Sequence, residues 1–325
     1  MDVRLGYVAM SVNVVNASPS KTMTAKQFAL IADREAGLRK LERIAKENLH
    51  NCTRLLYHNR AYDITFFRLS SRLIPLVGHE MTEGWEYRAH LAEAFHELGE
   101  IAIKDGVRID FHPDHYVVLN TPRRQTLDAS LAALDHHIWM LKALGIRPVH
   151  RCVLHVGGTY KDKEKAACQF IDNWSLVPEE IKSCVLLEND DKVFTAKDTL
   201  ELCETLGIPM VLDIHHHRCN HAGEEEEVYD LLPRIIATWR TSPLPPKMHI
   251  SSPRSEKDVR AHADYIEPED LFPFLRRIVP YTERLDVMIE AKQKDDALLR
   301  LMEWVRNNGE PEGIRALNGA SFQLA

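Results

Sequence analysis

What most constrains the fold of this chain is a recurring pattern. A short run rich in β-branched and apolar residues ends, again and again, in a residue of metal-ligand type. Val107–Phe111 runs into His112, Arg151–Leu154 into His155 and Ser183–Leu187 into Glu188. Pro209–Leu212 runs into Asp213, Pro246–Met248 into His249 and Asp286–Ile289 into Glu290. One such ending means little. Six in series read as parallel strands delivering side chains to one rim, and catalytic groups of a (β/α)8 barrel collect at the C-terminal ends of its strands.

The segments between these runs support that reading. Strand one, Arg4–Met10, precedes a helix over Gln27–Asn48, in which Leu38, Leu41, Ile44 and Ala45 recur at helical spacing. Ile64–Arg68 is the second strand and Tyr87–Lys104 its helix. Gln125–Leu144, Lys163–Leu176 and Ala196–Leu206 follow the next three strands, the last helix stopped by Gly207 and Pro209. Glu225–Trp239, Pro268–Val279 and Asp295–Asn307 complete the set. Strict alternation of eight strand–helix units predicts an α/β fold, a single-domain TIM barrel over residues 1–308. Residues 309–325 are poorly patterned and are expected to form a loose tail.

Composition narrows the function classes. A net charge of −7 and a pI near 6.2 lack the basic footprint of a purely electrostatic nucleic-acid binder. No run reaches the roughly 20 apolar residues of a membrane helix. Leu5–Val15, interrupted by Ser11 and Asn13, reads as a strand and loop rather than a signal peptide. The 6 cysteines have no paired spacing, which predicts reduced thiols and a cytoplasmic protein. Nothing in the sequence demands an oligomer, so a monomer is expected.

Glu188, Asp213 and Glu290 each follow an apolar run, where a lone charge is costly to bury. Three carboxylates on one small rim repel unless protonated or bridged by cations. The chain also carries 17 histidines. A mixed nitrogen and oxygen donor set suits Mn²⁺, Zn²⁺, Fe²⁺ or Co²⁺ better than Mg²⁺ or Ca²⁺. In Asp213-Ile214-His215-His216-His217, a continued strand sends His215 to the face of Asp213, whereas a turn brings in His216. Lys247 and His249 share a strand face by alternation. Lys247 then stands either as a cation for an anionic substrate or as a carbamate ligand. Such clusters activate water for phosphoester cleavage. Sugar isomerases and epimerases with paired metals on the same barrel are the competing class.

Several motifs taken in order resemble the UV damage endonuclease family. They are Phe111-His112-Pro113-Asp114-His115-Tyr116, Leu154-His155-Val156-Gly157-Gly158, Leu187-Glu188-Asn189-Asp190-Asp191, Asp213-Ile214-His215-His216-His217, Pro246-Lys247-Met248-His249-Ile250-Ser251-Ser252, Ala261-His262-Ala263-Asp264 and Ile289-Glu290-Ala291-Lys292. Any one is weak; their order and spacing from Arg4 to about Lys292 make the match specific. The resemblance implies a TIM-barrel nuclease related to endonuclease IV. Such enzymes nick damaged double-stranded DNA immediately 5′ to cyclobutane pyrimidine dimers, 6-4 photoproducts and abasic sites. It implies a cluster of two to three ions, with manganese expected and zinc, cobalt or magnesium as alternatives.

Carried over position by position, the resemblance puts His112 and His155 on one ion, with Glu188 bridging to the next. Asp213, His249 and Glu290 hold the second ion, and His216 and His262 hold the third. His79 in Gly78-His79-Glu80 matches a further site histidine, and Lys247 matches a lysine carboxylated in a family member; Glu188, Lys247 and His79 are the catalytic candidates. His115-Tyr116 takes the place of a pair that probes the bases opposite the lesion. Tyr7 matches an aromatic residue near the flipped lesion, and Asn13 is the candidate for an asparagine just beyond it. Lys161, Lys163 and Lys165, with Arg254, Lys257 and Arg260, are expected to grip the DNA backbone.

Overall fold

Period-two alternation assigns each strand residue to a face, and the barrel follows from that assignment. In the first strand Val3, Leu5 and Tyr7 share one face and Arg4, Gly6 and Val8 the other. The computed structural model describes residues 1–221, 223 and 227–325. Its eight barrel strands are β1 (Asp2–Val8), β2 (Phe66–Arg68), β3 (Arg108–Asp110), β4 (Cys152–His155), β5 (Val185–Glu188), β6 (Met210–Asp213), β7 (Lys247–Ile250) and β8 (Arg284–Ile289). Each pairs in parallel with its neighbours, β8 returns to β1, and the bridge Phe111–Cys152 joins β3 to β4 and closes the ring. This is the TIM barrel expected from the alternation.

The outward set (Val3, Leu5, Ile109, Leu154, Leu187, Leu212, Met248 and Ile289 among them) merges with the inner faces of the helices into one continuous apolar core. The inward set is mostly polar. Gly6 leaves room for Phe66 to point inward, since a Cβ there would meet the Phe66 carbonyl oxygen at 2.5 Å. The helices Tyr87–Lys104 and Ala196–Leu206 have the expected bounds. Thr195 and Asp198 form a capping box at the start of the latter, and Gly207 ends it at φ 68, a conformation that glycine adopts without a Cβ clash.

Two expectations need correction. The first helix is two, Ala25–Ala29 and Arg34–Ala61, because Thr24 caps the first and Asp33 starts a new one by accepting from the Glu35 N–H. Residues 309–325 are not loose: Ile314–Ala316 and Ser321–Leu324 form a hairpin whose second strand pairs antiparallel with β1. Ile314, Phe322 and Leu324 are buried there, so the apolar core itself extends into the tail. The helix after β6 is described as Glu227–Ala237; its expected start at Glu225 lies outside the described residues. No described helix is long and apolar enough to cross a membrane.

Candidate metal centre

All six strand-end residues that opened the sequence reading converge at one end of the barrel. Register sets His155 beside Glu188 and Asp213 beside His249. Asp213 settles the choice between His215 and His216. The strand stops at Asp213, whose carboxylate caps the helix Ile214–Cys219 by accepting from the His216 N–H at 2.8 Å. The chain turns there and His216 swings into the barrel mouth. Its Nδ1–H donates to the Asn189 carbonyl at 2.9 Å, leaving Nε2 as the open ring nitrogen. Asn189 also brackets the Asp213 backbone with two hydrogen bonds of 2.9 Å.

Glu188, fully buried, is the centre of the arrangement. Its Oε2 lies 2.8 Å from His112 Nε2 and 3.2 Å from His155 Nε2. Its Oε1 lies 2.8 Å from His249 Nδ1 and 3.6 Å from His216 Nδ1. His249 Nδ1 is also 3.2 Å from Glu290 Oε1. Three sets of donor atoms fall within 4.8 Å of one another: His112, His155 and Glu188; Glu188, Asp213 and His216; Glu188, His249 and Glu290. The carboxylate of Glu188 belongs to all three.

The electrostatics favour cations. Burial alone would raise the Glu188 carboxyl, but His249, His155 and His112 outweigh it and hold it well below the usual range. Burial and the neighbouring carboxylates Glu188 and Glu290 push Asp213 up. Burial would lower His216, yet Asp213, Glu188 and Glu290 raise it to about 9. The raised Asp213 and His216 are the marks of excess negative charge. Asp213 Oδ2 and His249 Nε2 are buried without any hydrogen-bond partner, which is costly unless something else occupies them. Orphaned nitrogen and carboxylate ligand atoms among these sets fit divalent metal ions.

The structure redistributes the expected ligands. Asp213 groups with His216 rather than with His249 and Glu290, because the cap at Asp213 turns both to the same side. His262, on the ribbon strand Asp258–His262, lines the same cleft but stands outside the three sets, its ring 5.1 Å from that of His215. Lys247 is buried one layer below His249, its Nζ 2.8 Å from Asp110. His79 does not reach the cluster. It caps the turn Glu80–Thr82 and lines a different hollow, beside Trp85, Tyr87 and His136.

The lesion-contact candidates divide. His115 and Tyr116 are exposed at the mouth of the cleft, Tyr116 being 65% exposed. Tyr7 is a correction: it is fully buried and donates to Asn59 Oδ1 at 2.7 Å, because alternation turns it outward to the helices with Val3 and Leu5. Asn13 is exposed, and its amide donates to Asp295 at 3.1 Å. Asp295 also accepts from Ser11 Oγ and the Val12 N–H and pairs with His58, so it pins the whole loop after β1. Of the expected backbone-gripping cations, Lys163 is paired with Asp198, Lys165 with Asp162, Arg254 with Asp258 and Arg260 with Asp191. Arg68 is a residue that sequence reading missed. It ends β2, lines the cleft and pairs with Glu290 at 2.5 Å. Its position at a strand end was the available signal.

The cleft over the cluster has a volume of about 790 Å³ and is lined by Arg68, His112, His155, His216, His262 and Glu290 among others. A family model described as UV-endonuclease UvdE matches residues 3–321. A UV DNA damage endonuclease of Halalkalibacterium halodurans is 53% identical over 304 residues, covering 93% of this chain and 94% of that one. One of Bacillus pumilus is 37% identical over 303 residues, with 93% and 94% covered. The crystal structure of SacUVDE is similar with a TM-score of 0.81 at 28% identity, covering 94% of this chain and 99% of that one. A D-psicose 3-epimerase of Clostridium cellulolyticum shares the fold alone, at 11% identity and a TM-score of 0.53 over 74% of this chain.

Proposed function

This chain belongs to the UV-endonuclease UvdE family and is a DNA-cleaving hydrolase of damage repair, and from that premise we propose that it nicks duplex DNA immediately 5′ to pyrimidine dimers, 6-4 photoproducts and abasic sites. The observation that carries the reading is the sharing of Glu188 by three donor sets at the open end of the barrel. One carboxylate touching three sets is the arrangement a cluster of closely spaced ions requires.

His112, His155, Glu188, Asp213, His216, His249 and Glu290 would hold the ions, with His262 at the edge of the set. When bound, the ions would lower the pKa of water and neutralise charge on the scissile phosphate; manganese is the ion we expect. The residues of the chain do the rest. Asn189 fixes the Asp213 backbone and the His216 ring, so both donors are aimed before any ligand arrives. Arg68 holds Glu290 by one oxygen. At the mouth, His115 and Tyr116 offer rings to the bases opposite the lesion. A dimer stacks and pairs poorly, so moving it out of the helix costs less than moving a normal base. Lys247 supports the site from beneath as a positioning residue, and its carboxylated form has a direct readout in the intact mass of the protein. The substrate places the enzyme with the chromosome in the cytoplasm.

The test is direct. With Mn²⁺, the protein should nick UV-irradiated plasmid and spare undamaged plasmid, and the cut on a defined duplex should map 5′ to the lesion. Equal nicking of both plasmids, or a cut on the 3′ side, would sink the reading. Turnover of a small ketose without nicking would return the sugar-epimerase alternative.

A further inference from the structure

The loop after β4 holds a feature that the metal chemistry does not use. Tyr160 and Lys161 are consecutive non-glycine residues in the left-handed region, at φ 46 and 77. Bulky side chains seldom occupy that region, and when they do the surrounding structure must hold them there. Here the hold is visible. Gly157, at φ 123, lies so close to Asn120 that a Cβ would meet Asn120 Oδ1 at 2.2 Å. Asn120 is fully buried and donates to the Gly158 carbonyl at 2.7 Å. Asn173 anchors the other side by donating to the Leu119 and Thr121 carbonyls at 2.7 and 2.9 Å. The loop is therefore tied to the segment that carries His115 and Tyr116.

The result is an aromatic ring pushed into solvent beside the cleft. Tyr160 is 42% exposed, and Gly158, beneath its ring, lines the same cleft as His115. The neighbouring ammonium is available. Lys163 and Lys165 are held by Asp198 and Asp162, whereas among the described residues Lys161 has no ion-pair partner. An exposed ring joined to an unpaired cation at the edge of a DNA-cleaving site has the parts of a single-strand contact: a face for a base and a charge for its phosphate.

We propose that Tyr160 and Lys161 form a second DNA-contact element, Tyr160 stacking on an unpaired or extruded nucleobase and Lys161 meeting the adjoining backbone phosphate. The proposal rests on the endonuclease reading. Base–aromatic stacking sets the expected size of the effect, roughly five- to a hundredfold in apparent affinity.

The experiment uses the Mn²⁺-loaded protein and a duplex carrying one cyclobutane dimer. Tyr160→Ala should raise KM roughly tenfold, with the larger part of the loss in KM rather than kcat, and Tyr160→Phe should restore it. Tyr160→Gly should show the same loss in KM without a lower thermal midpoint, because glycine adopts φ 46 freely. Lys161→Gln should reduce the slope of log affinity against log salt by about 0.9. Tyr281→Ala, an equally exposed tyrosine at the opposite end of the barrel, should change neither. Unchanged KM in Tyr160→Ala overturns the proposal, as does a loss that tracks a fall in thermal midpoint in both the alanine and glycine variants. Failure of the unaltered protein to cut the lesion duplex overturns the endonuclease reading, and this element with it.

Discussion

Two layers of charge lie inside the barrel, two residues apart along the runs of β3 (Asp110 and His112) and β7 (Lys247 and His249) and four apart along that of β8 (Asp286 and Glu290). In the lower one, Asp286 pairs with Arg4 at 2.6 Å and Arg108 at 2.7 Å, while Asp110 pairs with Arg108 at 3.1 Å and Lys247 at 2.8 Å. Arg151 approaches Asp110 from the side at 3.4 Å, and the Arg108 guanidinium lies over the rings of Phe66 and Trp239. In the upper layer Glu188, Asp213 and Glu290 face histidines and Arg68. The lower layer meets its two acids with four side-chain cations and leaves unpartnered only a cation's atom, Arg108 Nη2. The upper layer leaves metal-type ligand atoms, Asp213 Oδ2 and His249 Nε2, unpartnered, which fits added cations. Buried acids are thus a poor sign of a site by themselves; the sign is a set that the chain declines to neutralise.

The sharpest way to break this contrast is to remove a cation from the lower layer. Arg108→Met would leave Asp110 and Asp286 short of their shared partner. A buried pair broken on one side costs about 3–5 kcal/mol. Urea unfolding should register that loss, while the folded fraction still binds metal. A loss well under ~1 kcal/mol would mean that the lower layer does not depend on its own ion pairs.

The converse change belongs in the upper layer. Glu188→Gln should still fold without metal but lose some stability, since it removes the charge that His112, His155 and His249 face. Nicking of UV-irradiated DNA should fall by at least about a hundredfold, because loss of an outer partner to a metal ligand alone costs up to that much. Metal analysis of the purified variant should show fewer ions per chain. Full activity would remove Glu188 from the centre of the site.

Acid sharpens the comparison further. Burial would raise Asp110, but Arg108, Lys247 and Arg151 outweigh it and hold its carboxyl at about 2, against 3.8 unfolded. A depressed acid contributes stability that is present above 3.8 and lost as pH falls through that value toward 2. The difference corresponds to about 2 kcal/mol. Urea midpoints measured between neutral pH and pH ~2 should show this loss, and in Arg108→Met, where Asp110 is no longer held down as far, the loss should be smaller. A parent profile without the acid limb would show that the lower layer does not hold Asp110 ionised.

Much of this was legible in the sequence, and the misses have physical causes. The six strand-end ligands sit where the pattern put them, because a parallel barrel turns strand ends into one rim. Alternation inside the strands was underused. Arg108, Asp110 and His112 are in phase, as are Asp286, Met288 and Glu290, so the lower layer was written in the same strands as the ligands. The same rule turns Tyr7 outward with Val3 and Leu5, against the resemblance. The hairpin at the end of the chain was missed because its strands, of 3 and 4 residues, stand outside the strand–helix alternation that revealed the equally short barrel strands. The side taken by His216 depended on a cap at Asp213, which spacing alone does not reveal.

His79 carries the smallest expected effect and the most direct conflict between resemblance and geometry. The resemblance gives it a place among the site histidines. In the structure its Nδ1 accepts from the Met81 N–H at 3.2 Å, and it lines a hollow with Trp85, Tyr87 and His136 rather than the cleft over Glu188. Neither layer of the barrel interior uses it. His79→Ala removes one turn cap on a partly exposed loop, which costs about 1 kcal/mol or less, and should leave nicking within about twofold, since a 1.4 kcal/mol change would be needed for tenfold. Rates with lesion-bearing plasmid and metal content per chain check both points. A hundredfold loss with one fewer ion would place His79 in the upper layer, and the loop from Leu69 to Glu86 would then have to refold over the cleft to bring it there.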